Sequence, residues 1–232
     1  PIRIAGAALW ATPEGALWWP DEATLVVADL HLEKGSSLAR RGRLLPPYDT
    51  AATLATLARL IATLAPRRIV CLGDSFHDAD GAGRLDADDA ARLRALAAGR
   101  DWLWIAGNHD AGGLAGIGGR VAEAAALGPL MLRHQAAPAE GEGEISGHFH
   151  PKAAVRVGGR RIAGRCFVGD GRRLILPAFG AFAGGLDVFD PAIATLLAPG
   201  FAVWLLGRGR VHHLPSRRLH RSAPPAASVR PL

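Results

Sequence analysis

The sequence predicts an α/β fold: a parallel sheet with crossover helices, followed by a second, mostly antiparallel sheet. Three observations carry this. Three short apolar runs, "TLVVADLH" (24–31), "RIVCLGDSF" (68–76) and "DWLWIAGNHD" (101–110), each break into polar residues at the C-terminal end. Between them lie two segments with helical apolar spacing, which gives the strand–helix–strand order of parallel sheets. After Gly119 the apolar runs are strand-like and separated by Gly-rich turns, with no helical pattern of length.

Taken in order, "AALWATPEGALWW" has the form of a hairpin that could join either sheet. "TLVVADLH" is β-branched and aliphatic, as a buried strand requires, and a Gly-, Ser- and Arg-rich loop follows it. Asp49 is placed to cap a helix with apolar positions Leu54, Leu57, Ile61 and Leu64, stopped at Pro66. Asp86 is placed to cap a second helix through Leu93 and Leu96, ending at Gly99. The later runs, "VAEAAAL", "LMLRHQ", "GEISGHFH", "AAVRV", "RCFVGDGRRLILP" and "AVWLLGRGRVHHL", supply the second sheet. A chain of 232 residues is expected to form one domain, here residues 1–214, with the Pro/Ser/Ala/Arg-rich segment 215–232 as a disordered basic tail.

Composition narrows the function classes. Hydrophobic residues make up 49% of the chain, enough for a sizeable core. The two cysteines, Cys71 and Cys166, sit in apolar runs, which excludes a disulfide framework and a thiolate zinc site and fits a cytoplasmic protein. The opening residues lack the pattern of a signal peptide, and the longest uncharged stretch is broken at Pro199-Gly200, so no membrane span is expected.

The net charge of +6 is uneven. Six arginines and no acidic residue lie beyond residue 190, and the remainder balances 21 basic against 21 acidic residues. Lys34, Arg40, Arg41 and Arg43 cluster in one loop, while residues 74 to 89 hold six aspartates against Arg84. Basic segments beside an acidic cluster suit a metal site with a polyanion next to it.

The polar residues recur at strand ends: Asp29 and His31, then Asp74, then Asn108 and His109. In parallel sheets that edge is where ligands bind. Asp29 and His31, two apart on an extended strand, are expected to share one face. The second half adds His134 and the pair His148 and His150. Carboxylate, amide and imidazole donors without thiolate suit Mn²⁺, Fe²⁺ or Zn²⁺. Seven such side chains exceed what one ion uses, so two ions are expected.

Asp-x-His, Gly-Asp, Gly-Asn-His-Asp (107–110), a single histidine and Gly-His-x-His (147–150), in this order, resemble the calcineurin-like metallophosphoesterases. The resemblance implies a four-layer sandwich of two mixed β-sheets flanked by helices. It also implies that Asp29, His31 and His150 hold one metal, that Asn108, His134 and His148 hold the other, and that Asp74 bridges them. His109 would then serve the leaving oxygen, while a hydroxide shared by the metals attacks phosphorus in line. "ADLHLEKGSSLARRGRLLPPYDT" (28–50), "LGDSFHD" (72–78) and "GHFHP" (147–151) are similar to the bacterial ligase-associated DNA damage response phosphoesterases. That narrower resemblance implies a manganese-dependent endonuclease working beside a DNA ligase, a helicase and an exonuclease. The second motif, Gly-Asp-Ser-Phe-His-Asp, lacks the arginine of protein phosphatases, and His77 stands as a candidate phosphate contact.

The expected function is therefore a two-metal phosphodiesterase on DNA, with Lys34, Arg40, Arg41 and Arg43 binding substrate phosphates. A small-molecule phosphoesterase and a non-catalytic repair scaffold are the alternatives. No helix-turn-helix or zinc-finger pattern is present, so base-sequence specificity is not expected.

Overall fold

In the computed structural model the described residues are 1–110, 114, 117–137 and 142–221. The first sheet takes its strands in chain order. β1 (Ile2–Ile4), β2 (Ala7–Ala11), β3 (Leu17–Trp19) and β4 (Thr24–Val27) pair antiparallel. Helices α1 (Lys34–Ala39) and α2 (Asp49–Leu64) lead to β5 (Arg68–Leu72), and α3 (Gly81–Arg84) and α4 (Ala87–Ala97) lead to β6 (Asp101–Ile105). β4, β5 and β6 pair parallel, and β7 (Arg120–Ala122) adds a further parallel strand at the edge. The opening hairpin thus joins the first sheet.

The second sheet begins one residue after the first ends. β8 (Ala124–Leu127) follows β7 across Glu123 and pairs with β9 (Leu130–Arg133). The run "VAEAAAL" was expected to be one strand of the second sheet, yet it divides between both. Its alanines give no face strong enough to hold the segment in one sheet. β10 (Glu144–Ser146), β11 (Lys152–Val157), β12 (Arg160–Gly169) and β13 (Arg173–Ile175) follow, then the short α5 (Pro191–Ala194), β14 (Ala202–Leu206) and β15 (Val211–Pro215). The strand order is β15-β14-β12-β13-β10-β9-β8, with β11 paired to β12. Antiparallel pairs predominate, but β10 runs parallel to both β9 and β13. That parallel core brings the C-terminal ends of β9 and β10 to one edge.

Period-two alternation within the parallel strands explains why they read as continuous apolar runs. Val26, Val70, Leu72, Leu103 and Ile105 face the second sheet and meet Leu132, Ile145, Phe167 and Leu174. Leu25, Val27, Ile69, Cys71, Trp102 and Trp104 face the other way, against Leu54, Leu57 and Ile61 of α2 and Leu93 of α4. On the far side of the second sheet, Cys166, Val168 and Val203 pack with Ile193 of α5, Leu197 and Phe201. Helices, sheet, sheet and a thin outer layer make the calcineurin-like α/β sandwich. Both cysteines are buried free thiols, and among the described residues no helix is long and apolar enough to cross a membrane.

Two expectations at the helix and chain ends need correction. Asp49 does not cap α2: Tyr48 occupies that position, and Asp49 accepts the Gly35 N–H at 2.9 Å, tying α2 to α1. Asp86 does cap α4, accepting the Asp89 N–H at 2.7 Å. Residues 215–221, assigned to the tail by composition, pack on the second sheet. His220 donates its N–H to the Ala154 carbonyl at 2.7 Å, and the Arg221 guanidinium lies 4.7 Å from the Phe189 ring centroid. The remainder of the expected tail, 222–232, lies outside the described residues.

Candidate metal centre

All the predicted donors lie just past the C-terminal ends of parallel strands. Asp29 and His31 follow β4, Asp74 follows β5, Asn108 and His109 follow β6, His134 follows β9, and His148 and His150 follow β10. The two sheets meet at this edge, which joins residues 119 apart in the chain.

The local backbone differs from the expected extended strand. β4 ends at Val27, and Asp29 and His31 have φ of 53° and 44°, in the left-handed region. Asp74, His148 and His150 are left-handed as well, with φ of 45°, 71° and 48°. Such non-glycine residues cost on the order of 1 kcal/mol each and persist where the surroundings hold them. Here the hold is visible: Asp29 and His31 donate their N–H groups to the Gly73 and Asp74 carbonyls at 3.2 and 2.9 Å. Asp29 and His31 converge through this bent backbone, not through strand pleating.

The donors form two groups, Asp29 with His31 and His150, and Asp74 with His134 and His148; within each, one ligand atom per residue lies within 4.8 Å of the others. In the first, His31 Nε2 and His150 Nε2 are 3.2 Å apart, and His150 Nε2 is 3.5 Å from Asp29 Oδ1. Burial, then the neighbouring His150, pushes the His31 pKa down to about 2, so the imidazole is neutral and able to ligate. In the second group, His134 Nδ1 lies 2.9 Å from the Leu72 carbonyl, which can only accept. In the neutral ring the proton is therefore on Nδ1, and Nε2 presents a lone pair. Asn108 Oδ1 at 3.0 Å, His148 Nδ1 at 3.0 Å and Asp74 Oδ1 at 3.4 Å all crowd that lone pair. Oxygen and nitrogen atoms packed so closely fit a divalent cation, which each could ligate. The donor set therefore suits the metals that the sequence implies.

Glycines make this closeness possible. A Cβ on Gly73, itself at φ 75°, would overlap the His134 ring, and one on Gly107 would overlap the Asp74 carboxylate and backbone. Asp110 has a role that the sequence left unassigned. Buried at 3% exposure, it accepts the Phe76 N–H at 3.1 Å and the Gly107 N–H at 2.9 Å, which locks the β5 and β6 loops together. Burial pushes its pKa up. Its only sequence signal was its place in Gly-Asn-His-Asp.

His109 faces the open side, with its side chain 40% exposed. Its Nδ1 donates to the His77 carbonyl at 2.7 Å, which leaves Nε2 directed to the site, 3.9 Å from Asp74 Oδ2. Its backbone N–H donates to Asp74 Oδ1 at 3.0 Å. The His77 ring stacks on His109 with centroids 5.7 Å apart, and burial, then Lys34, lowers its pKa.

Of the basic loop, Lys34 lies nearest the centre: it donates to the Phe182 carbonyl at 3.0 Å, and its charge reaches His31 and His77. Arg40 pairs with Asp80 at 3.8 Å on the surface, and Arg41 and Arg43 are exposed. Arg84, which stands in none of the motifs, grips Asp78 through two hydrogen bonds of 2.8 and 2.9 Å and donates to Ser36 Oγ at 2.9 Å. This contact joins the loop that carries His77 to α1, which carries Lys34. No local pattern announces it.

A family model described as calcineurin-like phosphoesterase matches residues 23–161. The structure is similar to the crystal structure of Pseudomonas putida nuclease MPE, with a TM-score of 0.71 and 31% identity over 92% of this chain and 98% of that one. The E. coli phosphoesterase Yfce aligns over 82% of this chain and 97% of its own, with a TM-score of 0.38 and 14% identity. No curated protein matches.

Proposed function

Because the chain belongs to the calcineurin-like phosphoesterases, we propose that it is a two-metal phosphodiesterase that cuts DNA. The observation that carries the reading is the crowding of Asn108, Asp74 and His148 about the His134 lone pair, beside the separate Asp29, His31 and His150 group. The nuclease likeness over nearly the whole chain supports a nucleic-acid substrate, and the exposed arginines of the α1–α2 loop support a polyanion.

We assign Asp29, His31 and His150 to one ion, Asn108, His134 and His148 to the other, and Asp74 to both; manganese is the ion expected. When bound, the ions neutralise phosphoryl charge and acidify the attacking water. The chain's own groups do the rest. Leu72 fixes the His134 tautomer through its carbonyl, and the His77 carbonyl does the same for His109, so that Nε2 faces the substrate. Because Nδ1 holds its proton against the His77 carbonyl, Nε2 carries one only in the imidazolium, and from that form the proton can pass to the leaving oxygen as the P–O bond breaks. Lys34, Arg40, Arg41 and Arg43 bind phosphates flanking the scissile one. On the same reading the protein works in DNA repair beside a ligase, a helicase and an exonuclease.

The test is hydrolysis with Mn²⁺, measured in parallel on circular single-stranded DNA, bis-p-nitrophenyl phosphate and p-nitrophenyl phosphate. Cutting of the circle, with the diester preferred over the monoester, is expected. Turnover confined to the small esters would make the protein a small-molecule phosphoesterase, and no turnover would make it a scaffold.

A further inference from the structure

Beside the metal centre the chain passes over the rim between Gly180 and Leu186. Gly180 donates its N–H to the Asp29 carbonyl at 3.2 Å, and Ala181 donates to Thr53 Oγ1 at 3.2 Å. At the other end Leu186 donates to the Phe149 carbonyl at 3.4 Å, and a Cβ on Gly185 would overlap the His150 carbonyl. The segment is thus tied at both ends to the backbone that positions Asp29 and His150. Between the ties sits Phe182, 38% exposed, although Phe179 three residues earlier is 4% exposed. Burying a phenylalanine stabilises a fold, so one held partly exposed at the rim forgoes part of that gain.

Phe182 is also coupled to a cation. Its carbonyl takes one of the three Lys34 Nζ protons at 3.0 Å, which leaves two for an anion. Lys34 in turn opens α1 three residues after His31, and His77 donates its N–H to the intervening Leu32 carbonyl at 2.9 Å. An ammonium with two protons to offer and a partly exposed phenylalanine are therefore joined beside the backbone that positions Asp29 and His150.

We propose that Lys34 and Phe182 form a nucleotide subsite, in which the ammonium takes a backbone phosphate and the ring stacks on an attached base. The proposal rests on the nuclease reading above. An aromatic platform accepts any base, because every base has a π face. That agrees with a sequence that shows no helix-turn-helix or zinc-finger pattern. A phosphate ester without a base would make no use of the ring.

The experiment is Mn²⁺-dependent cutting of short, labelled single strands in which one abasic nucleotide is moved through every position. In the wild type, an abasic nucleotide at one position relative to the cut is expected to lower kcat/KM on the order of 10- to 100-fold, the range for one lost base stack. In Phe182→Ala that position should become indistinguishable from its neighbours, and Phe182→Trp should restore the dependence. Retention of the Mn²⁺-induced rise in melting temperature shows that each variant keeps its fold and metal centre. Identical abasic profiles in wild type and Phe182→Ala would overturn the subsite and leave the nuclease reading standing. A wild-type protein that cuts none of the strands would overturn both.

Discussion

His31 and His150 point their Nε2 atoms at each other across 3.2 Å, although 119 residues separate them in the chain. His31 Nδ1 is buried without a hydrogen-bond partner in the described structure, and burial keeps the ring neutral. Such a pair is poised for a cation. Mn²⁺ at about 100 times its dissociation constant should stabilise the protein by about 2.7 kcal/mol. For a chain of this size that corresponds to a melting-temperature rise of about 5–10 °C. Thermal melts with Mn²⁺ and with a chelator measure it, and His150→Ala should lose the part of the rise that its own ion contributes. A wild-type melting curve indifferent to both additions would rule out the centre.

Asp74 and His134 should differ in what their loss removes. A carboxylate shared by both ions serves each of them, whereas one imidazole serves one. Asp74→Ala is expected to lose both metal and activity, and His134→Ala to retain one ion. Calorimetric titration with Mn²⁺ gives the stoichiometry, and equal, mild losses in the two variants would argue against a bridging carboxylate.

His109→Ala should keep both ions and slow the chemistry about 10²–10⁴-fold. Its Nε2 is the group free to reach a leaving oxygen, since Nδ1 is held by the His77 carbonyl. The loss should shrink for diesters with good leaving groups, which need little protonation. A loss independent of the leaving group would mean that His109 positions the substrate and does not protonate it.

The donors were legible because their chemistry is local: each stands in a short motif at the end of an apolar run. What joins them was less so. Nothing in "LMLRHQ" or "GEISGHFH" says that β9 and β10 run parallel, yet that pairing sets His134 beside His148. The left-handed backbone of Asp29 and His31 was hidden too, because an Asp-x-His sequence reads equally well as strand. Asp49 carries the composition of a cap, and only tertiary contact shows that its carboxylate serves Gly35 instead. The division of "VAEAAAL" between sheets follows from packing on both sides of Glu123, a choice its alanines do not encode.

The Asp78–Arg84 pair should appear as a pH-dependent term in stability. Burial raises the Asp78 pKa, but the hydrogen bonds and charge of Arg84 outweigh it and bring the group to about 2, below the ordinary 3.8. A carboxylate with a depressed folded pKa contributes stability above its unfolded value and loses it as pH falls through the folded one. Asp78→Asn should therefore be less stable than wild type at neutral pH. The gap should narrow as pH falls below 3.8 toward about 2. Urea melts across that range measure it, and a constant gap would mean that the pair is not ionised in the fold.

The basic loop separates a DNA substrate from a small one. Arg41 and Arg43 are exposed, Arg40 has one surface partner in Asp80, and all follow closely on the strand that supplies Asp29 and His31. Each phosphate neutralised on a single strand contributes about −0.7 to the slope of log affinity against log salt. Changing Arg40, Arg41 and Arg43 to Ala should weaken single-stranded DNA binding and flatten that slope by up to about 2, three times the contribution of one phosphate. Binding measured at several salt concentrations reads both effects. A small chromogenic diester has no flanking phosphates, so the variant should lose far more activity on DNA than on the diester. Parallel losses would mean that the loop shapes the metal centre itself, and an unchanged slope would remove the loop from the DNA path.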